Sequence, residues 1–349
     1  MAGLRAVVAG WANDEYLRQG PLPFRVAFIG VGAACCHVLG EYTPFGFALV
    51  SFAGGLLLLL ASLLLARRWM RGTAGMVVAG LLCGVSPLAM GLSRRALQDS
   101  GFAALVILAL WSLDCFLEKR RGRDALMLSV ILFLGFMTKE SMLFIYPLLL
   151  LLFFIKGGHR GSHGLGGLAA AVILPPLAAL GVMVHVAGSF RVLYATYATY
   201  SHMQHIIPYA LAYQRGPWFR YLVDFLLISP VVMLMAIPGV KAKNGFIEHD
   251  RYALCALLVT GVAVFSCLPL MNLRLVLFLD TPLRILAAGG IVALGCRWGK
   301  TPRQGVWIAG GLAAIVALLD LSQFYIIFIR AGSYDPVTAQ LIKALGFMP

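Results

Sequence analysis

The sequence predicts an all-α protein that crosses a membrane many times, with about ten transmembrane helices preceded by a short interfacial helix. Three observations carry this. Of 349 residues, 61% are apolar and only 12% are charged, against roughly 45–50% and about 25% in ordinary soluble domains. The mean hydropathy is +0.89. Apolar runs recur along nearly the whole chain, many close to the roughly 20 residues a helix needs to cross about 30 Å of hydrocarbon. So few charges cannot cover a water-exposed surface, which excludes a soluble globular enzyme, and the same figures exclude disorder. A membrane β-barrel would show alternating segments of about ten residues instead.

Taken in order, residues 1–20 hold no span. The stretch 22–39, which carries Arg25 and His37, reads as an amphipathic element lying in the outer interface. Apolar segments follow at about 45–66, 74–92, 97–117, 125–137, 141–155, 166–187, 217–240, 252–271, 275–294 and 305–329. Thr138-Lys139-Glu140-Ser141 divides 125–155 into two short helices. A charge at the bilayer centre costs about 2.5–3.5 kcal/mol, and a break at a water interface avoids that cost. The expected organisation is one transmembrane domain over 1–349. It comprises an outer segment (1–44), a helical bundle (45–329) with an outer loop at 189–216, and an outer tail (330–349).

The net charge of +14 comes from 28 Lys and Arg against 14 Asp and Glu. In a soluble protein it would suggest nucleic acid. In a membrane protein the first reading is basic residues in inner loops, and no nucleic-acid partner is expected. With 45–66 running inward, the inner connections carry Arg67, Arg68, Arg71, Lys119, Arg120, Arg121, Arg123, Lys156, Arg160, Lys241, Lys243, Arg251, Arg297, Lys300 and Arg303. Both termini then lie outside. The informative cations are those left at outer helix ends: Arg94, Arg95, Lys139, Arg191, Arg215, Arg220 and Arg274. Asp14, Glu15, Asp99, Glu140, Asp224 and Asp280 accompany them. Any one such charge can snorkel to the interface; so many on one side predict a polar, water-filled cavity opening outward. The seven cysteines lie mostly in apolar runs and read as free buried thiols.

Several words in this outer set can carry chemistry. Asp14-Glu15 offers a carboxylate as general base toward a hydroxyl. In SRRALQD (93–99), Asp99 either meets a helix N-terminal dipole or orients a phosphate-facing arginine, Arg94 or Arg95. In TKES (138–141), Lys139 is a point charge for a phosphate or the partner of Glu140 or another loop acid. In MNLRLVLFLDTPLR (271–284), Pro282 fits the first turn of a helix capped by Asp280 or Thr281. That reading holds Arg274 near the membrane surface and pairs Asp280 with Arg284. Asp320 is the midspan acid and reads as interhelical polar glue. In the loop 189–216, Tyr194, Tyr197, Tyr200, Tyr209 and Tyr213 recur at roughly helical spacing, as an interfacial belt or as the lining of a sugar or lipid site.

In this order the words resemble a family. LLLARRW ending at Trp69, SP at 86–87, SRRALQD, the basic EKRRGR (118–123) and LGFMTKESMLFIYPLLLL (134–151) are similar to the GT-C glycosyltransferases. The likeness is to the bacterial branch related to dolichyl-phosphate-mannose protein mannosyltransferases and aminoarabinose transferases. GPWFRYLVDFLLISPVVML (216–234) and NLR (272–274) continue it to about residue 330. The resemblance implies a transferase that moves a sugar from a polyprenyl-phosphate carrier to an acceptor on the outer, periplasmic face of the inner membrane; the outer cluster of acids with Arg and Lys leads to the expectation of direct displacement with inversion. Its catalytic base maps to Asp14-Glu15 and its second outer acid to Asp99. Its lipid-phosphate cations map to Arg94 or Arg95, Lys139 and Arg274, beside Glu140 and Tyr200 as further substrate contacts. The family's span ahead of the Asp-Glu pair has no counterpart here, and Leu275 replaces its Tyr. No Asp-x-Asp motif is present, so no cofactor and a metal-independent reaction are expected. The rival readings are a secondary transporter, for which equal-length halves are missing, and a catalytically inactive transferase-like scaffold.

Overall fold

The computed structural model describes residues 25–40, 44–158, 165–242, 245–247 and 250–346. The described residues are helical almost throughout and contain no strand, only an isolated bridge between Met70 and Phe246. In chain order the helices are α1 (Val26–Leu39), α2 (Pro44–Trp69), α3 (Gly72–Gly84), α4 (Pro87–Ser93), α5 (Asp99–Lys119) and α6 (Gly122–Thr138). A 3-10 turn (Glu140–Ile145) leads into α7 (Tyr146–Ile155), α8 (Leu165–Ala187), α9 (Phe190–Ile206), α10 (Pro208–Tyr213), α11 (Arg220–Ile228) and α12 (Pro230–Lys241). Then come α13 (Asp250–Ser266), a 3-10 turn (Leu273–Leu275), α14 (Leu277–Trp298), α15 (Pro302–Phe324) with a wide-turn extension (Tyr325–Arg330), and α16 (Thr338–Ala344). Backbone polar groups in hydrocarbon must be satisfied within the segment, and helices do so.

Each of the ten apolar segments is helical over most of its length, but they are not ten straight spans. Among the described residues, five helices are long and apolar enough to cross a membrane, and two bent pairs raise this to seven. Both bends fall at Ser-Pro pairs, where the proline removes an N–H and pushes the preceding residue out of the helical region. At Ser86-Pro87 the bend between α3 and α4 is 49°, and the Ser86 hydroxyl caps the new helix by accepting from the Ala89 N–H at 3.0 Å. At Ser229-Pro230 the chain turns by 111° between α11 and α12, so 217–240 is not the single span expected. The expected outer loop 189–216 is mostly helix, as α9 and α10. Pro282 is not in a first turn: α14 begins at Leu277 with no side-chain cap. Helix α1 forms where the interfacial element was expected. It holds no Asp, Glu, Lys or Arg, and His37 is its only basic side chain, so it is apolar around its circumference instead of amphipathic.

Two helices form the centre. Both α5 and α14 are buried over most of their length, whereas α2, α8 and α15 bury only one side. The outer sides of α2, α8 and α15 carry exposed Phe52, Leu56, Ile173, Leu177, Trp307 and Leu318. That surface suits lipid and would be a liability in water. Lipid gives helices no hydrophobic reason to associate, so close packing and polar contacts must do it. The tightest contact, α12 against α14, depends on glycines. A Cβ on Gly290 would lie 2.0 Å from the Met235 carbonyl oxygen, and one on Gly239 would lie 2.0 Å from that of Leu286.

Gly290→Ala should therefore force α12 and α14 apart and cost about 1–3 kcal/mol. Gly310→Ala, where a Cβ meets nothing within 4 Å, should be neutral or slightly stabilising. Thermal unfolding midpoints in detergent check this; equal midpoints for the two variants would show that the glycine contact is not limiting.

Candidate functional site

The polar side chains of the bundle gather at three levels. At one end, the start of α5, the break after α6, the turn before α14 and the segment 331–337 meet. Lys139, at the C-terminus of α6, donates to Asp99 Oδ1 at 2.6 Å, and the Arg274 Nε donates to Asp99 Oδ2 at 3.0 Å. Arg274 Nη1 also donates to Asp335 Oδ1 at 3.0 Å. Asn272 Nδ2 donates to the same oxygen at 3.0 Å, and the Tyr209 hydroxyl to Asp335 Oδ2 at 3.0 Å. Two cations and two carboxylates thus form one cluster, with Asp99 wholly buried and Lys139 nearly so. Lys139 also lies over the Phe102 ring, and Arg274 over that of Tyr334. Burial pulls the Lys139 ammonium below its usual value despite the opposing pull of Asp99. For Arg274 burial also works against the charge, but Asp99 and Asp335 outweigh it and raise its value. Burial, and then Asp335, push the Tyr209 hydroxyl up, so it stays a donor.

Local sequence explains how the cluster is built. Asp99 is the first residue of α5, so its carboxylate lies at the positive end of the helix dipole. Extended backbone at Lys139 ends α6 and turns its side chain inward. Asn272 accepts from the Arg274 N–H through its side-chain oxygen at 3.0 Å, closing the small turn that presents Arg274.

A second level lies one to two turns into the bundle. The wholly buried Arg284 donates from Nε to Asp280 Oδ2 (2.7 Å), from Nη1 to Asp320 Oδ2 (2.5 Å) and to the Leu82 carbonyl (2.9 Å), and from Nη2 to Ser229 (2.9 Å). Ser86 donates to Asp280 Oδ2 at 2.6 Å. The expected Asp280–Arg284 pair is present, and Asp320 is the interhelical contact anticipated. A cavity of about 370 Å³ lies beside them, lined by Phe52, Ser62, Met90, Arg94, Asp280 and Phe324 among others. The third level, at the opposite end, joins Arg68, Asp114, Lys156 and Asp250, with the Trp69 Nε1 donating to Asp114 at 2.9 Å. The ends of α2, α5 and α7 and the start of α13 therefore meet at one end of the bundle.

Of the expected site residues, the structure unites Asp99, Lys139 and Arg274. Asp99 has both oxygens taken by cations, which makes it the group that positions them instead of one with an oxygen ready to accept a proton. The lysine's partner is Asp99, not Glu140. Glu140 instead takes a two-pronged bond from Arg25, at 2.9 and 3.3 Å, tying α1 to the 3-10 turn. Arg94 and Arg95 are not in the cluster: Arg94 donates to the Phe328 carbonyl, and Arg95 reaches the Gly332 and Ser333 carbonyls and stacks on Tyr334. They hold the segment after α15. Asp14 and Glu15 lie outside the described residues. Tyr200 falls in α9, and its side chain is outside what is described. Tyr209 is the loop tyrosine that reaches the cluster. The residue sequence reading missed is Asp335. It is the only acid beyond Arg330, in a segment the charge alternation already placed at the outer end, and that isolation was the available signal. Among the described residues no three His, Cys, Asp or Glu side chains gather as a metal site.

Residues 28–183 match the family model described as dolichyl-phosphate-mannose-protein mannosyltransferase. The structure is similar to that of ArnT from Cupriavidus metallidurans in the apo state, with TM-score 0.55 and 14% identity over 98% of this chain and 68% of that one. Against ArnT bound to undecaprenyl phosphate the values are 0.55 and 13%, over 92% and 67%. Against the oligosaccharyltransferase AglB from Archaeoglobus fulgidus, in complex with an inhibitory peptide and a dolichol-phosphate, they are 0.55 and 14%, over 86% and 46%. Curated protein sequences give no significant match. The fold is similar to those of ArnT and AglB, and the chain is a polytopic all-α membrane protein, as the sequence words implied.

Asp99→Asn should strand Lys139 as an uncompensated buried charge and cost about 3–5 kcal/mol. Adding Lys139→Met should recover part of that loss, because the stranded charge goes with it. Unfolding of the single and double variants in detergent measures this; strictly additive losses would show that the two groups do not interact.

Proposed function

We propose that the protein is a membrane glycosyltransferase that takes a sugar from a polyprenyl-phosphate carrier, acting at the end of the bundle that carries Lys139 and Arg274. The observation that carries this is the convergence of those two cations on one buried acid at one end of the bundle. A lipid-linked sugar keeps its chain among the helices and needs fixed cations for its phosphate at the surface. As the glycosidic bond breaks, charge develops on the departing phosphate, and preorganised Lys139 and Arg274 stabilise it. Asp99 holds both in place. The acceptor hydroxyl gives its proton to a carboxylate, for which the Asp14-Glu15 pair is the proposed source. We assign inversion at the anomeric carbon by direct displacement, and place this end at the periplasmic face of the inner membrane, following the excess of Lys and Arg in the opposite loops.

The test is transfer from a radiolabelled polyprenyl-phosphate sugar by purified protein in liposomes. Lys139→Met and Arg274→Lys should each lower the rate by about 10²–10³-fold, the scale for removing one preorganised charge-stabilising group. Asp14→Ala should abolish transfer, and full activity in that variant would sink the base assignment. Substrate flux without glycosyl transfer would instead favour a transporter.

A further inference from the structure

We propose that Asp335 is an intramolecular stand-in for the lipid phosphate, a carboxylate that occupies the phosphate position and yields it when the carrier binds. This rests on the glycosyltransferase reading above and concerns how that site is regulated. Three donors converge on the two oxygens of Asp335: Arg274 Nη1, Asn272 Nδ2 and the Tyr209 hydroxyl, each at 3.0 Å. A cation, an amide and a phenol presented together form the donor set that a phosphate accepts. Lys139 stands on the far side of the same cluster, joined through Asp99.

Charge decides which carboxylate yields. With Lys139, Arg274, Asp99 and Asp335 ionised the cluster is neutral, and a neutral cluster has little electrostatic attraction for an anion. Displacing one carboxylate leaves it with one net positive charge, which a phosphodiester of one negative charge restores to neutral. Asp99 cannot be the one to leave, because it is wholly buried on the central helix α5 and holds both cations. Asp335 is less deeply buried than Asp99 and lies outside regular helix, between the end of α15 and α16. Its segment is fastened on both sides: Ile327 and Phe328 are buried before it, and Val337 and Leu341 after it. Thr338 adds bonds to Arg220 and Asp224. Within 331–336 the ties are fewer: the Ser333 N–H donates to the Ile327 carbonyl at 3.1 Å, Arg95 reaches the Gly332 and Ser333 carbonyls and lies over Tyr334, and Gly332, at φ +62°, supplies a backbone conformation that other residues resist. Lifting Asp335 off Arg274 therefore costs the strap's contacts with Arg95 and Ile327 but leaves the buried residues of α15 and α16 in place. After transfer, its return would compete with the spent carrier phosphate and help release it.

Purified full-length protein in nanodiscs, titrated with a long-chain polyprenyl phosphate lacking sugar, tests this. Asp335→Asn keeps the shape and removes the charge, and should bind the lipid phosphate about tenfold more tightly than wild type. Lys139→Met should weaken binding in both backgrounds. Should Asp335→Asn fold poorly, the wild type alone decides: backbone amides of 331–337 should exchange faster when polyprenyl phosphate is added. Equal affinity of Asp335→Asn and wild type, or unchanged exchange across the strap, overturns the stand-in role and leaves glycosyl transfer standing. If neither wild type nor Asp335→Asn binds polyprenyl phosphate, the functional reading falls and this inference with it.

Discussion

A guanidinium in a lipid-embedded bundle has to find a partner for each of its donors, and Arg284 does so by drawing five segments together. Its acceptors come from α14 itself (Asp280), from α15 (Asp320), from the end of α3 (Leu82) and from the α11–α12 break (Ser229). Through Asp280, the Ser86 hydroxyl adds the α3–α4 bend. An uncompensated buried charge costs several kcal/mol, so the partners are mutually obligatory. The two Ser-Pro pairs show the result most plainly. Each proline breaks a helix, and each serine beside it turns its hydroxyl to the Asp280–Arg284 pair. What looks like two local interruptions is one polar contact seen from two sides.

This contact sets the height and rotation of α14, and the outer cluster depends on that. Arg274 lies only three residues before α14 begins. Its reach to Asp99 requires the start of α14 to sit beside the start of α5, two elements far apart in sequence. The opposite end is tied in the same manner, with Lys156 bridging Asp114 and Asp250 and so joining α5, α7 and α13. The scarcity of charge in this chain thus has a structural counterpart: most of its buried acids serve as joints between helices. Hydrophobic burial cannot perform that task when the solvent is itself hydrocarbon.

The candidate site was half legible in advance. Asp99, Lys139 and Arg274 could be singled out because topology did not require charges there. Their mutual geometry could not, since nothing local tells whether Lys139 meets Glu140, its neighbour in sequence, or Asp99, forty residues away. The extended backbone at Lys139 decided it, turning the lysine toward α5 and leaving Glu140 to Arg25. Arg94 and Arg95 misled for the opposite reason. Their sequence neighbourhood matched the expected word, but the bend at Ser86-Pro87 aims them at the carbonyls after α15. Asp335 escaped notice because an acid in a polar tail has no periodicity or motif around it.

By itself the sequence determined the solvent, most of the helices and the gathering of basic residues in a few connections. These follow from hydropathy, helix-length apolar runs and the distribution of Lys and Arg, all of which are local or additive properties. The tertiary structure alone decided which charges meet, where broken helices turn back, and that a tail carboxylate shares Arg274 with a buried one. Those outcomes depend on distances of a few ångströms between segments remote in the chain. Because a buried ion pair gains or loses most of its energy within that range, no pattern along the sequence can stand in for it.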